Sequence, residues 1–301
     1  MHIHDDIIST IGSTPLVKIN NIYKKDGITI LAKLEGCNPT GSIKDRIALR
    51  MISQAIREGQ LTKDKIIIEA TSGNTGIGLA MIGAVKGYKV QIVMSSAVSI
   101  ERRKMIEAYG AEVILTDPSQ GTDGAIREAK RRVAENPEMY FTPDQFTNKY
   151  NKLAHYSTTA EEIIRDTNGA ITHYVSAIGT SGTIMGVGKR LKEMDPRIKI
   201  VCAHPVKGHY IQGLKNMEEA IVPALYDPSA IDHTVMIESE EAFEMTRRIV
   251  REEGIFVGMS SGAALLAAVE IAKTLDKGVI VCIFPDRGEK YLSTTLFNTS
   301  K

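Results

Sequence analysis

At 301 residues, 43% of them hydrophobic, the chain can bury a substantial core and is long enough for two lobes. Its 37 basic residues nearly cancel its 36 acidic ones, which excludes the broad basic field that nucleic acid or an anionic membrane surface requires. No run approaches the roughly 20 apolar residues of a membrane span and MHIHDDIIST lacks the basic and apolar regions of a secretory leader, so a cytoplasmic location is expected.

In chain order, short β-branched runs alternate with longer helical patterns: ILAKLE before Gly36, KIIIE before Ala70, YKVQIVM from Tyr88, AEVILT from Ala111, THYVSA from Thr172, IKIVCAH from Ile198 and VIVCIF from Val279. The alternation predicts βαβ units with largely buried parallel strands, an α/β fold. One helix is signalled after Ser99, an N-cap candidate, and closes at Gly110; another follows Ser239. There is no internal repeat or Pro/Ser-rich linker, and FTPDQFTNKYN from Phe141 is the best place for a boundary between lobes. Cys37, Cys202 and Cys282 are odd in number and far apart with no C-x-x-C pair, which argues against both a disulfide framework and a zinc site, and no metal is expected. Cys202 and Cys282 read as small hydrophobes in strands, and nothing beside Cys37 activates it.

Four motifs carry chemistry. In NPTGSIKDR, residues 38–46, a strand ends in a Pro/Gly turn and a helix begins with Lys44 in its first turn. The positive end of a helix disfavours a second cation and so favours a neutral, nucleophilic amine able to form a Schiff base, although a solvated surface lysine fits the same pattern. EATSGNTGIGLA, residues 69–80, is again strand, loop and helix; backbone N–H groups with the hydroxyls of Thr71, Ser72 and Thr75 suit a carboxylate or phosphate, if the loop is not merely a turn. GTSGTIMGVGKRLKEM, from Gly179, is a second anion cradle. It has neither the G-K-[ST] of a Walker A loop nor the spacing of a dinucleotide fingerprint, which disfavours ATP and NAD. In GIFVGMSSGAALLAA, from Gly254, Ser260 and Ser261 precede an apolar helix and either could be an N-cap. FPDRGEKYLST, from Phe284, is a turn after a strand. Two anion cradles and a Schiff-base lysine match the needs of a phosphorylated aldehyde cofactor with an amino-acid substrate.

Taken in order, NPTGSIKDR, TSGNTG, the QF at Gln145, GTSGT, GMSSGAA and DRGEKYLST resemble the cysteine synthases of the fold-type II pyridoxal-phosphate family, from STPLVKI near Ser13 to YLSTTLF near the C-terminus. AHYSTTAEEI, ITHYVSAIGTSGT and the compact PVKGHYIQGLKNMEEAIVPALYDP resemble the shorter, B-type members. The resemblance implies a two-lobed, tryptophan synthase β-like fold with parallel-rich twisted sheets covered by helices on both faces. A smaller mobile lobe would span 38–147, a larger one 1–37 and 148–301, with pyridoxal 5'-phosphate in the cleft between them, in a homodimer. Lys44 would carry the cofactor, Asn74 would bond its ring hydroxyl, Gly179, Thr180, Ser181, Gly182 and Thr183 would hold its phosphate, and Ser260 would face the pyridine nitrogen. Thr71, Ser72, Thr75 and Gln145 would hold the substrate carboxylate. The implied reaction is β-replacement of O-acetyl-L-serine by sulfide or thiosulfate through an aminoacrylate, giving cysteine.

Some B-type relatives that use O-phosphoserine carry an arginine where GLKNM has Lys215, which keeps the charge but loses the bidentate fork that suits phosphate. O-Acetylserine is therefore favoured over O-phosphoserine. Cystathionine β-synthase or serine dehydratase activity on the same scaffold, and a silent binding partner, are the rival readings.

Overall fold

Among the described residues there are ten strands, seven of them from the β-branched runs: β1 (Leu16–Lys18), β2 (Ile28–Leu34), β3 (Ile66–Ala70), β4 (Val90–Ser95), β5 (Glu112–Thr116), β6 (Tyr140–Phe141), β7 (His173–Ala177), β8 (Lys199–Pro205), β9 (His233–Ile237) and β10 (Gly278–Phe284). The helices between them are α1 (Lys44–Arg57), α2 (Asn74–Lys86), α3 (Ile100–Ala108), α4 (Gly121–Glu135), α5 (Lys149–Ser157), α6 (Thr159–Asp166), α7 (Gly182–Met194), α8 (Ser239–Arg248) and α9 (Met259–Lys273). The structure, a computed structural model, describes residues 3–71, 73–219 and 221–298. Among the described residues no helix is long and apolar enough to cross a membrane.

The chain divides into two units, one of the residues up to Ile11 with Asn38–Asn151, the other of Gly12–Cys37 with the residues from Lys152 onward. These differ in two places from lobes drawn at 38–147 and at 1–37 with 148–301. Ile8 is buried in the core of the first unit with Ala48 and Ile52 of α1. The stretch to Asn151 stays there too, because the Asn151 amide donates to the Gln145 carbonyl at 2.7 Å and the Tyr150 hydroxyl bonds the Glu58 carboxylate.

The sheet of the first unit runs β5-β4-β3-β6 with every pair parallel. Successive residues of a strand point to opposite faces. Thus Ile67 and Ile92 pack on the α1 and α2 side with Ile52 and Ile77, while Ile68 and Val93 pack on the other side with Ala125 and Ala129 of α4. Burial on both faces is why these strands read as continuous apolar runs.

The sheet of the second unit runs β1-β2-β10-β7-β8-β9, parallel except where β1 pairs antiparallel with β2. Ala263, Ala264 and Ala267 of the apolar helix α9 share a core with Val175, Val201 and Ile280. On α7, Gly188 lets the helix approach β8, since a Cβ there would sit 3.3 Å from the Ile200 side chain. Cys202 and Cys282 lie in β8 and β10, buried, and burial pushes both thiols up to about 12; Cys37 is exposed. Ser99 holds the cap position of α3, but Ser239 is the first residue of α8 and Glu238 stands at its cap. The Ser239 hydroxyl lies 2.9 Å from His209 Nδ1 instead.

Candidate active site

In the first unit, NPTGSIKDR forms a tight turn into α1. Gly41, with φ of 78°, donates its N–H to the Asn38 carbonyl at 2.8 Å. The carboxylate of Asp45, buried in the first turn of α1, reaches back to accept the Thr40 N–H at 2.8 Å and bonds the Thr40 hydroxyl as well. A carboxylate so placed is favoured by the positive end of the helix and locks the turn to it. Lys44, the first residue of α1, is therefore presented from a rigid turn and is half-buried, unlike a solvated surface lysine. Sequence reasoning passed over Asp45, although an acid in a helix's first turn five residues after a threonine was a signal for it. The N-terminal ends of α1 and α2 meet because Gly78 has no side chain: a Cβ there would lie 3.1 Å from Asp45 Oδ1 and 3.3 Å from Ala48.

The loop from β3 to α2 is drawn together by Gln145. The Thr75 hydroxyl donates to Gln145 Oε1 at 2.7 Å, and Gln145 Nε2 donates to the Ala70 carbonyl at 3.2 Å. The Thr71 hydroxyl accepts the Gly73 N–H at 3.1 Å. Gly73 has φ of 132°, and a Cβ there would come within 2.4 Å of the Arg102 side chain, so the loop backbone lies bare against α3. Thr71, Thr75 and Gln145 are buried and Asn74, the first residue of α2, is half-buried. Ser72 lies outside the described residues. The structure thus brings Thr71, Asn74 and Thr75 together with Gln145, 70 residues beyond Thr75. Sequence reasoning also missed Glu69, a buried carboxyl on β3 that accepts the backbone N–H of Asp144 at 2.8 Å and of Gln145 at 3.3 Å. Burial, reinforced by the Asp144 carboxylate and opposed by these N–H bonds, pushes it up to about 8.

In the second unit, β7 leads through Ile178 into Gly179–Thr183, with α7 starting at Gly182. Ser181 takes the left-handed conformation, φ 64°, uncommon for a residue with a side chain, and its buried hydroxyl finds no partner among the described residues. The Thr183 hydroxyl lies 3.2 Å from Nε2 of the wholly buried His155, whose Nδ1 is 3.0 Å from the Thr159 hydroxyl. Gly179 lies against a neighbouring loop, where a Cβ would come 2.4 Å from the Gly213 carbonyl oxygen. Two residues on, the Lys215 N–H donates to the Ile178 carbonyl at 2.9 Å, which sets Lys215 beside the cradle with its Nζ shielded from solvent.

Ser260 is buried in the first turn of α9, but the cap position belongs to Gly258, so it is not the N-cap. A Cβ on Gly258 would lie 2.3 Å from both Asp286 Oδ1 and the Tyr291 ring, and the Tyr291 hydroxyl donates to Asp286 Oδ2 at 2.8 Å. DRGEKYLST is thus packed against the start of α9, a role for Asp286 and Tyr291 that sequence reasoning did not assign.

These groups fit a phosphorylated aldehyde. The start of α7 offers backbone N–H groups in a loop kept open by glycines, with an unpartnered buried hydroxyl for an anion to satisfy. In the first unit, the primary amine of Lys44 at the start of α1 is of the type that forms a Schiff base. Among comparisons with known proteins, the family model described as pyridoxal-phosphate dependent enzyme matches residues 7–286. The chain belongs to this family. It is 46% identical over 302 residues to a cysteine synthase of Aquifex aeolicus, covering 98% of this chain and 92% of that one. Cysteine synthase B of Pseudomonas aeruginosa is 43% identical over 292 residues, with 97% of each chain covered. The crystal structure of a cysteine synthase from Entamoeba histolytica superimposes with a TM-score of 0.93 at 42% identity, over 100% of this chain and 92% of that one. The two mostly parallel α/β sheets are those of the fold-type II pyridoxal-phosphate enzymes.

Proposed function

We propose that this protein is a cysteine synthase that replaces the acetoxy group of O-acetyl-L-serine with sulfide. The observation that carries the reading is the Thr75–Gln145 bond, which gathers hydroxyls and an amide at the N-terminus of α2, where a carboxylate is favoured.

When bound, pyridoxal phosphate supplies an electron sink that weakens the substrate's α-C–H bond and its β-substituent. Lys44 Nζ would hold it, with Asn74 toward the ring hydroxyl, Gly179, Thr180, Ser181, Gly182 and Thr183 toward the phosphate, and Ser260 toward the pyridine nitrogen. His155 steadies the Thr183 hydroxyl from behind. Thr71, Ser72, Thr75 and Gln145 bind the substrate carboxylate and so orient the α-C–H bond toward Lys44. With its amine free, Lys44 Nζ would take the α-proton as general base while acetate leaves the β-carbon with its bonding pair, and after sulfide adds there it would return the proton to the α-carbon. The smaller lobe is built on residues 38–147, to which the residues up to Ile11 and the stretch to Asn151 add. The protein acts as a cytoplasmic homodimer of the B-type subgroup, a placement supported by the compact PVKGHYIQGLKNMEEAIVPALYDP segment and by the Pseudomonas relative.

The position of Lys215 beside the cradle favours one second reading, O-phosphoserine as substrate, with Lys215 meeting the leaving phosphate. Cysteine formation from each ester and sulfide decides between them. O-Acetylserine should be the faster substrate, Lys215→Ala should leave its rate within about twofold, and Lys44→Ala should lose on the order of 10² to 10⁴ in rate. A faster reaction with O-phosphoserine that collapses in Lys215→Ala would reassign the substrate. Cystathionine from homocysteine, or pyruvate without sulfide, as the main product would reassign the reaction.

A further inference from the structure

Glu69 is 2% exposed on β3, in a strand otherwise made of isoleucine and alanine. An unsolvated carboxyl is costly unless its oxygens are satisfied. Both of its oxygens serve one turn, taking the N–H of Asp144 at 2.8 Å and of Gln145 at 3.3 Å. Asp144 has φ of 48°, which bends the chain so that two successive N–H groups converge on the carboxyl. The Gln145 carbonyl accepts the Asn151 amide at 2.7 Å, and its side chain is held at both ends by Thr75 and Ala70. Within the turn, the Asp144 carbonyl takes the Thr147 and Asn148 N–H groups and the Asn148 amide donates to the Pro143 carbonyl, but it is the Glu69 carboxyl that ties the Asp144 and Gln145 N–H groups to β3.

We infer that Glu69 is a positioning residue for the substrate carboxylate: by holding the Asp144–Gln145 turn it fixes the Gln145 amide against Thr75 and sets how tightly the amino-acid substrate binds, not how fast bonds break. The inference rests on the reading that Thr71, Thr75 and Gln145 hold that carboxylate. A group that acts only through Gln145 has no further effect once Gln145 is gone, and this separates positioning from a general contribution to the fold.

The test is steady-state kinetics on holoenzyme with O-acetylserine and sulfide, for the parent, Glu69→Gln, Gln145→Ala and the double variant. Glu69→Gln should raise KM for O-acetylserine roughly tenfold with kcat within about twofold, the pattern of lost uniform binding. The double variant should be no worse than Gln145→Ala. If Glu69→Gln matches the parent, or if the two losses multiply, Glu69 does not act through Gln145. Hydrogen exchange on the parent gives a check that needs no substitution: the Asp144 and Gln145 amides should be strongly protected, and exchange at unprotected rates would overturn the role. A parent that makes no cysteine would bring down the functional reading and this inference together; a parent that does, with an unaffected Glu69→Gln, brings down only the inference.

Discussion

In the first unit, the turn from β3 into α2 closes its own hydrogen bonds: Thr71 takes the Gly73 N–H, Thr75 gives to Gln145, and Gln145 gives to Ala70. In the second unit, the turn from β7 into α7 has the same make, a strand running through glycines and hydroxyls into a helix, yet the buried Ser181 hydroxyl has no partner among the described residues. A pocket for a substrate that comes and goes must keep its shape and its hydrogen bonds while empty. A cradle for a resident anion can instead leave a donor waiting for the group that will satisfy it. The difference is what the proposed roles require, the first loop for the amino acid and the second for the cofactor phosphate.

The strongest way to break this comparison is Gly179→Ala. The new methyl would press on the Gly213 carbonyl from 2.4 Å, an overpacking that costs about 1–3 kcal/mol and should strip most of the cofactor from the purified protein, read as cofactor absorbance per chain. Thr75→Val should destabilise the cofactor-free protein by about 1–3 kcal/mol in a denaturant titration, because it leaves buried Gln145 oxygen unsatisfied.

The closed network also carries a pH dependence. Folding raises the Glu69 pKa from 4.5 to about 8, so the unfolded chain releases that proton first. Its contribution is therefore complete below about 4.5 and is lost as pH rises through 8, with a slope of at most about 1.4 kcal/mol per pH unit. Denaturant titrations from pH 5 to 9 should show this decline in the parent, and Glu69→Gln should flatten it. The smallest effect belongs to Ser181→Ala: stability without cofactor should change by less than about 0.5 kcal/mol, since no bond is lost, while cofactor affinity drops. Equal destabilisation by Thr75→Val and Ser181→Ala would erase the distinction between the loops.

The strands were legible because parallel strands buried on both faces, such as β3 and β4, write themselves as β-branched runs. The helix starts at Lys44 and GTSGT were legible because glycines and hydroxyls there have local signatures, and the family resemblance supplied the other residues of the proposed site. What stayed hidden depends on long-range pairing. Glu69 meets Gln145 across 76 positions and Thr183 meets His155 across 28, separations that carry no local pattern. A helix was expected to follow Ser239, but the backbone turns into α8 one residue earlier, and that serine meets His209. Residues up to Ile11 join the first unit because Ile8 finds an apolar slot there, a choice made by packing and invisible in composition.

The central claim, a lysine-held cofactor serving β-replacement, is tested most directly by an absorbance titration of the purified protein. The parent should be yellow, its cofactor band should shift when O-acetylserine is added, and sulfide should restore it with release of cysteine, while Lys44→Ala completes no such cycle. A parent that binds no cofactor, or whose band ignores O-acetylserine, would contradict the account.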